Sequence, residues 1–209
     1  MKKIVLLVLV LGFFAFAGFG EMLFEFPVVL TSAGQSDEVN TVIYLAEEVG
    51  ILYDYCDILS ADEFAAGVGL AGAGNAPGKH VTVSSAEAKG TPFKTLLIAI
   101  GASLKGMGAS GLSVNDEEKR IDALLDYAEA NNIAILAMAI GGEIRRGLPG
   151  SPNEAMIDAV APRADMIIVT ADTNMDGRFT KIAEENGVEF IQVDSAFDLL
   201  ETMPAVFGL

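Results

Sequence analysis

Asp172, Asn174, Asp176 and Gly177 stand at the first, third, fifth and sixth positions of the segment DTNMDGRFTKIAE, residues 172–184. That is the spacing of a calcium loop, in which alternate oxygen-bearing side chains point inward and the glycine permits a sharp turn. The twelfth position, where a bidentate Glu closes such a loop, is Ala183, and Glu184 follows it. An apolar run precedes the segment where a calcium-binding hand has a helix, and Asx-rich turns that open a helix carry the same letters. Asp172, Asn174 and Asp176 are therefore metal candidates, calcium is the ion the pattern admits, and no other cofactor is expected.

Two glycine runs fit the G-x-G-x-x-G spacing of a dinucleotide-binding turn: GVGLAG at 67–72 and GMGASG at 106–111. The spacing carries meaning only between a strand and the first turn of a helix. The first run follows no clear strand. The second follows an apolar run that ends at Gly101, but the next helical pattern starts only near Asn115, so these glycines read as part of a long loop. A helix N-terminus attracts phosphate through its free N–H groups and dipole. Here Asp116, Glu117 and Glu118 already meet one such end, and Asp37 and Glu38 meet another. No G-K-[ST] ending is present, so neither a dinucleotide nor a nucleoside triphosphate is expected.

Nucleophilic catalysis finds little support. There is no G-x-S-x-G, and the single histidine, His80, lies in an irregular stretch ahead of the candidate serines, against the usual α/β-hydrolase order. One His and one Cys fall short of a zinc site. Cys56 reads as a small buried residue near the second strand.

Cationic and hydroxyl groups are better placed. Four loops follow apolar runs: TSAGQS (31–36), GASLKGMGASG (101–111), GGEIRRGLPG (141–150) and ADTNMDGR (171–178). They carry Ser32, Gln35, Ser36, Ser103, Lys105, Ser110, Arg145, Arg146 and Arg178. In so acidic a chain, an arginine pair in a glycine-flanked loop suits an anion or carboxylate clamp. The competing reading pairs Arg145 and Arg146 with Glu143 and neighbouring acids.

The elements that must position these residues alternate along the chain. Short continuous apolar runs occur at 26–31, 51–59, 94–101, 133–140, 165–170 and 188–194, as in strands covered by helices on both faces. Between them, Val39, Val42, Ile43, Ala46 and Val49 form one helical stripe, with Ser36 as the expected cap and Gly50 past its end. Ile121, Leu124, Leu125 and Ala128 form a second, starting from Asn115. Ser151-Pro152-Asn153-Glu154 reads as a capping box with proline at the first helical position. Further helices are expected from Gly177 to Gly187 and after Ser195. Strand–helix alternation of this kind predicts an α/β fold: a three-layer, doubly wound parallel sheet, Rossmann-like or flavodoxin-like. Residues 60–93 break the rhythm and read as a Gly-rich insertion with one strand, KHVTVSS; an interaction module would use it as contact surface.

The N-terminus has the three parts of a secretory signal peptide: Met1-Lys2-Lys3, an apolar stretch from Ile4 to Ala17, and small residues at Ala15 and Ala17. The stretch falls short of the roughly 20 residues of a spanning helix. Residues 1–17 are expected to be a cleaved leader, leaving residues 18–209 as a single domain with a periplasmic or extracellular destination. The formal net charge of −16 sets the chain against nucleic acid and anionic lipid surfaces, which are themselves densely negative. Neither is an expected partner.

TSAGQS, SLKGMGASG, IGGEIRRG, AVAPRADMIIV and NMDGRFTKIAEENG, taken in this order over most of residues 27–194, resemble a family of exported bacterial proteins known only as a domain of unknown function. The resemblance implies an exported Rossmann-like domain and transfers no activity or catalytic residue. The function expected from the residues is an extracytoplasmic domain that binds a small anionic ligand at the carboxyl edge of its sheet. The alternatives are an exported enzyme using carboxylates or a metal, and a protein-interaction module.

Overall fold

The computed structural model describes residues 24–75 and 78–209. The expected leader, residues 1–17, lies outside the described residues. Seven strands form one sheet: β1 (Val28–Ala33), β2 (Tyr53–Cys56), β3 (Val81–Val83), β4 (Thr95–Ile100), β5 (Ala134–Ala139), β6 (Met166–Thr170) and β7 (Glu189–Val193). Their order is β3-β2-β1-β4-β5-β6-β7. Only β3 runs antiparallel, against β2, while every other neighbour pair is parallel. Without β3 this is the flavodoxin-like strand order, continued by one more parallel strand. The chain is thus a three-layer, doubly wound α/β domain.

The two faces follow from the two-residue period of a strand. Val28, Leu30, Leu97, Ala99, Leu136, Met138 and Ile168 face α1 (Glu38–Glu48) and α7 (Leu199–Val206). Val29, Leu96, Ile98, Ile135, Ala137, Ile167 and Val169 face the other layer. That layer is built from α2 (Ala61–Ala65), α3 (Leu104–Ala109), α4 (Val114–Ala130), α5 (Pro152–Val160) and α6 (Arg178–Asn186). Right-handed crossovers explain the division: the chain moves one way from β1 to β2 and the other way from β4 to β7, so its helices fall on opposite faces. The central strands are buried throughout, which is why they read as continuous apolar runs. The edge strand β7 is less buried, with Glu189 and Gln192 exposed and Phe190 and Ile191 only partly buried. Among the described residues no helix is long and apolar enough to cross a membrane.

Local chemistry moves several boundaries. GMGASG is not a loop: Gly106, Met107 and Gly108 lie inside α3, whose N-cap is Ser103. The Ser103 hydroxyl accepts the Gly106 N–H at 3.0 Å. Gly106 has to lack a Cβ, because a methyl group there would collide with the Gln35 carbonyl oxygen. Helix α4 starts at Val114 through a reciprocal capping box of Ser113 and Asp116, so Asn115 is already helical. Asp37 rather than Ser36 stands at the N-cap position of α1, and its side chain makes no cap hydrogen bond. Ser151 precedes Pro152 as expected, but its hydroxyl makes no cap hydrogen bond, and the Glu154 carboxylate turns to Arg146 instead of back to the helix end.

The 60–93 insertion is folded over most of its length, with α2, a tight turn at Leu70–Asn75 and β3. Asp54, buried on β2, anchors it by accepting the Gly69 N–H at 2.6 Å and the Ser85 N–H at 3.2 Å.

Beneath the β1 and β4 ends lies a buried ion pair within α4. Arg120 donates from Nε to Glu117 Oε2 (2.8 Å) and from Nη2 to Glu117 Oε1 (2.7 Å). The same guanidinium donates to the carbonyls of Ser32 (2.5 Å) and Leu59 (3.1 Å). Removing one partner of such a pair leaves a buried charge unmatched, at about 3–5 kcal/mol. Glu117→Ala is therefore expected to lower unfolding free energy by about 3–5 kcal/mol in a denaturant titration; a loss below about 1 kcal/mol would mean the pair contributes little.

Candidate functional site

In a doubly wound sheet, ligands settle beyond the carboxyl ends of the strands where the winding reverses. Here that point lies between β1 and β4. The loops after β1, β4, β5 and β6 follow the carboxyl ends of neighbouring strands, so the four candidate loops share one edge.

The first two loops are stitched together. Gln35 and Ala102 form an antiparallel bridge, and the Ser103 N–H donates to the Gly34 carbonyl at 2.7 Å. Gly34 holds a φ of +104°, and a Cβ there would strike the Gly101–Ala102 backbone, so only glycine serves. Its N–H donates to Glu117 Oε1 at 2.8 Å, and Gln35 Nε2 donates to the Asp57 carbonyl at 2.7 Å and to the same Glu117 oxygen at 3.2 Å. Gln35 is thus a loop fastener.

On the α1 side of this seam lie Ser32, Ser36 and Glu38. Ser32 shares the strand face of Val28 and Leu30, and all three side chains are more than nine-tenths buried. Glu38 reaches across the ends of β4 and β5, where Gly101 and Gly141 leave it room. A methyl on Gly101 would sit 2.5 Å from Ser36 Oγ and 2.8 Å from Glu38 Oε2, and one on Gly141 would strike Glu38 Oε1. Arg145 donates from Nε to Glu38 Oε1 and from Nη1 to the Ala102 carbonyl at 3.4 Å. Among the described residues the other carboxylate oxygen, Glu38 Oε2, has no hydrogen-bond partner, and neither do Ser32 Oγ and Ser36 Oγ. Buried polar atoms left unpaired each cost about 1–3 kcal/mol, so three on one side of one seam require an explanation.

Arg146 points into a different cluster. Its guanidinium donates to Glu154 Oε1 (2.9 Å), to both oxygens of Asp176 (2.8 and 2.9 Å) and to the Thr173 carbonyl (2.7 Å). It also lies 5.5 Å from the centroid of the Phe179 ring. Arg178 donates to Glu154 Oε2 and to Asp158 Oδ1. Adjacent in sequence, Arg145 and Arg146 therefore separate, and Arg145, Arg146 and Arg178 are all held by carboxylates of this chain. Lys105 is exposed on α3 and makes no ion pair among the described residues. Ser103 and Ser110 are the N-cap and C-cap of α3.

The calcium spacing does not become calcium geometry. Asn174 Oδ1 accepts the Phe179 N–H at 2.9 Å, and its amide donates to Thr180 Oγ1 and Gln192 Oε1, both at 2.8 Å. Asp176 is clamped by Arg146, while exposed Asp172 lies beside Gly142. The letters build an Asx turn that opens α6, and no group of three His, Cys, Asp or Glu side chains suited to a metal occurs among the described residues.

The insertion holds its own polar contacts. His80 Nδ1 and Asp57 Oδ2 are 2.9 Å apart, and Lys79 donates to Glu63 at 2.6 and 2.7 Å. Burial pushes the Cys56 thiol up to about 11, with Glu63 adding to the effect, which keeps it protonated and unreactive at neutral pH. Reading by residue type missed Glu38, Glu117, Arg120 and Glu154. For Glu38, the available signal was the glycine that ends each of two apolar runs, Gly101 and Gly141.

The hydrogen bonds from Arg146, the largest influence, lower the Asp176 carboxyl from the ordinary 3.8 to about 2. A folded-state value below the unfolded one gives stability that is present above about pH 4 and lost as pH falls towards 2. Melting temperature followed from pH 6 down is expected to fall less steeply below about pH 4 in Asp176→Asn than in the parent. Parallel curves would assign the acid sensitivity to other groups.

A search of curated proteins found no match, and a search of solved structures found none. Residues 25–207 match the family model described as Domain of unknown function (DUF6305), and the chain belongs to that family.

Proposed function

We propose that this domain binds a small polar molecule at the carboxyl edge of its sheet, in the crevice beside Ser32, Ser36 and Glu38. The carrying observation is that Ser32 Oγ, Ser36 Oγ and Glu38 Oε2 are buried on the same side of the β1–β4 seam and lack partners among the described residues. Two hydroxyls can donate or accept, and a carboxylate oxygen accepts. A ligand offering both donors and acceptors, such as a polyol or a small amide, would satisfy all three.

Charge pairing at this edge favours a neutral ligand over an anion. An anion was expected from Lys105, Arg145, Arg146 and Arg178, but carboxylates hold all three guanidiniums. An anion in the crevice would also meet Glu38. A neutral hydrogen-bonding molecule suits these groups better. The leader pattern in residues 1–17 supports a periplasmic or extracellular site of action.

Gly101→Ala is the sharpest perturbation, because its methyl group would enter the space beside Ser36 Oγ and Glu38 Oε2. Native mass spectrometry of the protein purified from its own host is expected to show a small-molecule adduct on the parent chain. The adduct is expected to be absent from Gly101→Ala and also from Ser36→Ala, which removes one unpaired hydroxyl without a clash and is expected to keep the parent melting temperature. Parent and variant both at the bare chain mass, with no thermal shift from a polyol and amide panel, would overturn the reading.

A further inference from the structure

The carboxyl edge carries a second feature that the crevice does not use. Large apolar side chains stand exposed in the connections after four consecutive strands: Leu104 at the start of α3 after β4, Ile144 and Leu148 after β5, Met175 after β6, and Phe197 after β7. Ile144, Leu148 and Phe197 are 83%, 81% and 80% exposed. Single exposed apolar residues are ordinary, but five on the connections that leave one edge of the sheet give that edge the apolar character of an interaction surface.

The loops are held in register rather than left free. Arg145 ties the β5 loop to the Ala102 carbonyl, while Arg146 ties it to Asp176 and to the Thr173 carbonyl of the β6 loop. The Gly142 N–H adds a bond to Thr173 Oγ1 at 2.8 Å. Asn174 joins the β6 loop to Gln192 on β7. The same guanidiniums that leave no charge for an anionic ligand therefore fix the apolar tips in place, which lowers the ordering cost of binding.

We propose that this rim docks a protein segment whose apolar side chains are flanked by lysine and arginine. The argument for that occupant is charge. Exposed Asp37, Glu143, Asp172 and Asp194 stand on the loops of this edge, and Lys105 is the exposed lysine among them. With a formal net charge of −16, a second copy of the chain would bring like charge to like, and an anionic lipid surface would do the same. A cationic, apolar segment matches the rim in both respects.

The test uses the full chain with a synthetic amphipathic Leu/Lys helical peptide. Its controls are a Ser/Lys peptide of equal charge, neutral phosphatidylcholine vesicles, and sedimentation of the protein alone. The Leu/Lys peptide is expected to bind at least tenfold more tightly than the Ser/Lys peptide. The exposed double substitution Ile144→Ser with Leu148→Ser should erase that difference at unchanged melting temperature. Equal binding of the two peptides to the parent would reduce the effect to bulk charge and overturn the proposal. So would a difference that survives the double substitution. Concentration-dependent dimers, or binding to neutral vesicles, abolished by the same substitution would assign the rim to a second copy or to lipid instead.

Discussion

The seam between β1 and β4 rests on one close approach: the Gly34 turn lies against the Gly101–Ala102 backbone with no room for a side chain. Because the backbones meet, Gln35 can pair with Ala102, and the Ser103 N–H can reach the Gly34 carbonyl. The buried Glu117 carboxylate then holds the turn from below by accepting the Gly34 N–H, and Arg120 balances its charge. Everything at the carboxyl edge is placed relative to this seam. Ser36 and Glu38 follow it directly in the chain, and Ser103 opens α3 from its other side.

Charge at this edge is consumed within the fold. Glu38, Glu117 and Glu154 are buried, and each lies against an arginine, namely Arg145, Arg120 and Arg146. Such pairs gain little net stability, because desolvation offsets their attraction, but breaking one exposes a buried charge. Their effect is to fix geometry. The guanidiniums of Arg145 and Arg146 extend in different directions from one short loop and bind it to the β4 and β6 loops. What remains unmatched beside the β1–β4 seam among the described residues is two hydroxyls and one carboxylate oxygen, the three atoms on which the proposed reading rests.

The strands were legible because burial on both faces forces continuous apolar runs, and 94–101, 133–140 and 165–170 contain β4, β5 and β6. The helical stripes at Val39–Val49 and Ile121–Ala128 were legible for a similar reason, since each has one buried face. Short-range polar choices were not. Ser36 and Asp37 offer equivalent caps in sequence, and at the capping-box spacing after Ser151 a tertiary partner intervenes, because Glu154 turns to Arg146 instead of the helix end. GMGASG read as a loop because the next helical stripe starts only near Asn115, and the Gln35 carbonyl whose close approach requires glycine at 106 lies far away in sequence. The residues 172–176 shared the spacing of a calcium loop because an Asx turn opening a helix uses the same side chains. Arg145 and Arg146 are adjacent in sequence, yet their carboxylate partners lie on α1 and α5, which no local pattern reveals.

A crystal structure of the host-purified protein, at a resolution that orders water, tests the central claim most directly. The account predicts density larger than a single water between Ser36 Oγ and Glu38 Oε2, within hydrogen-bond distance of both and of Ser32 Oγ. A direct hydrogen bond between Ser36 and Glu38, or one isolated water that satisfies the three groups, would contradict it.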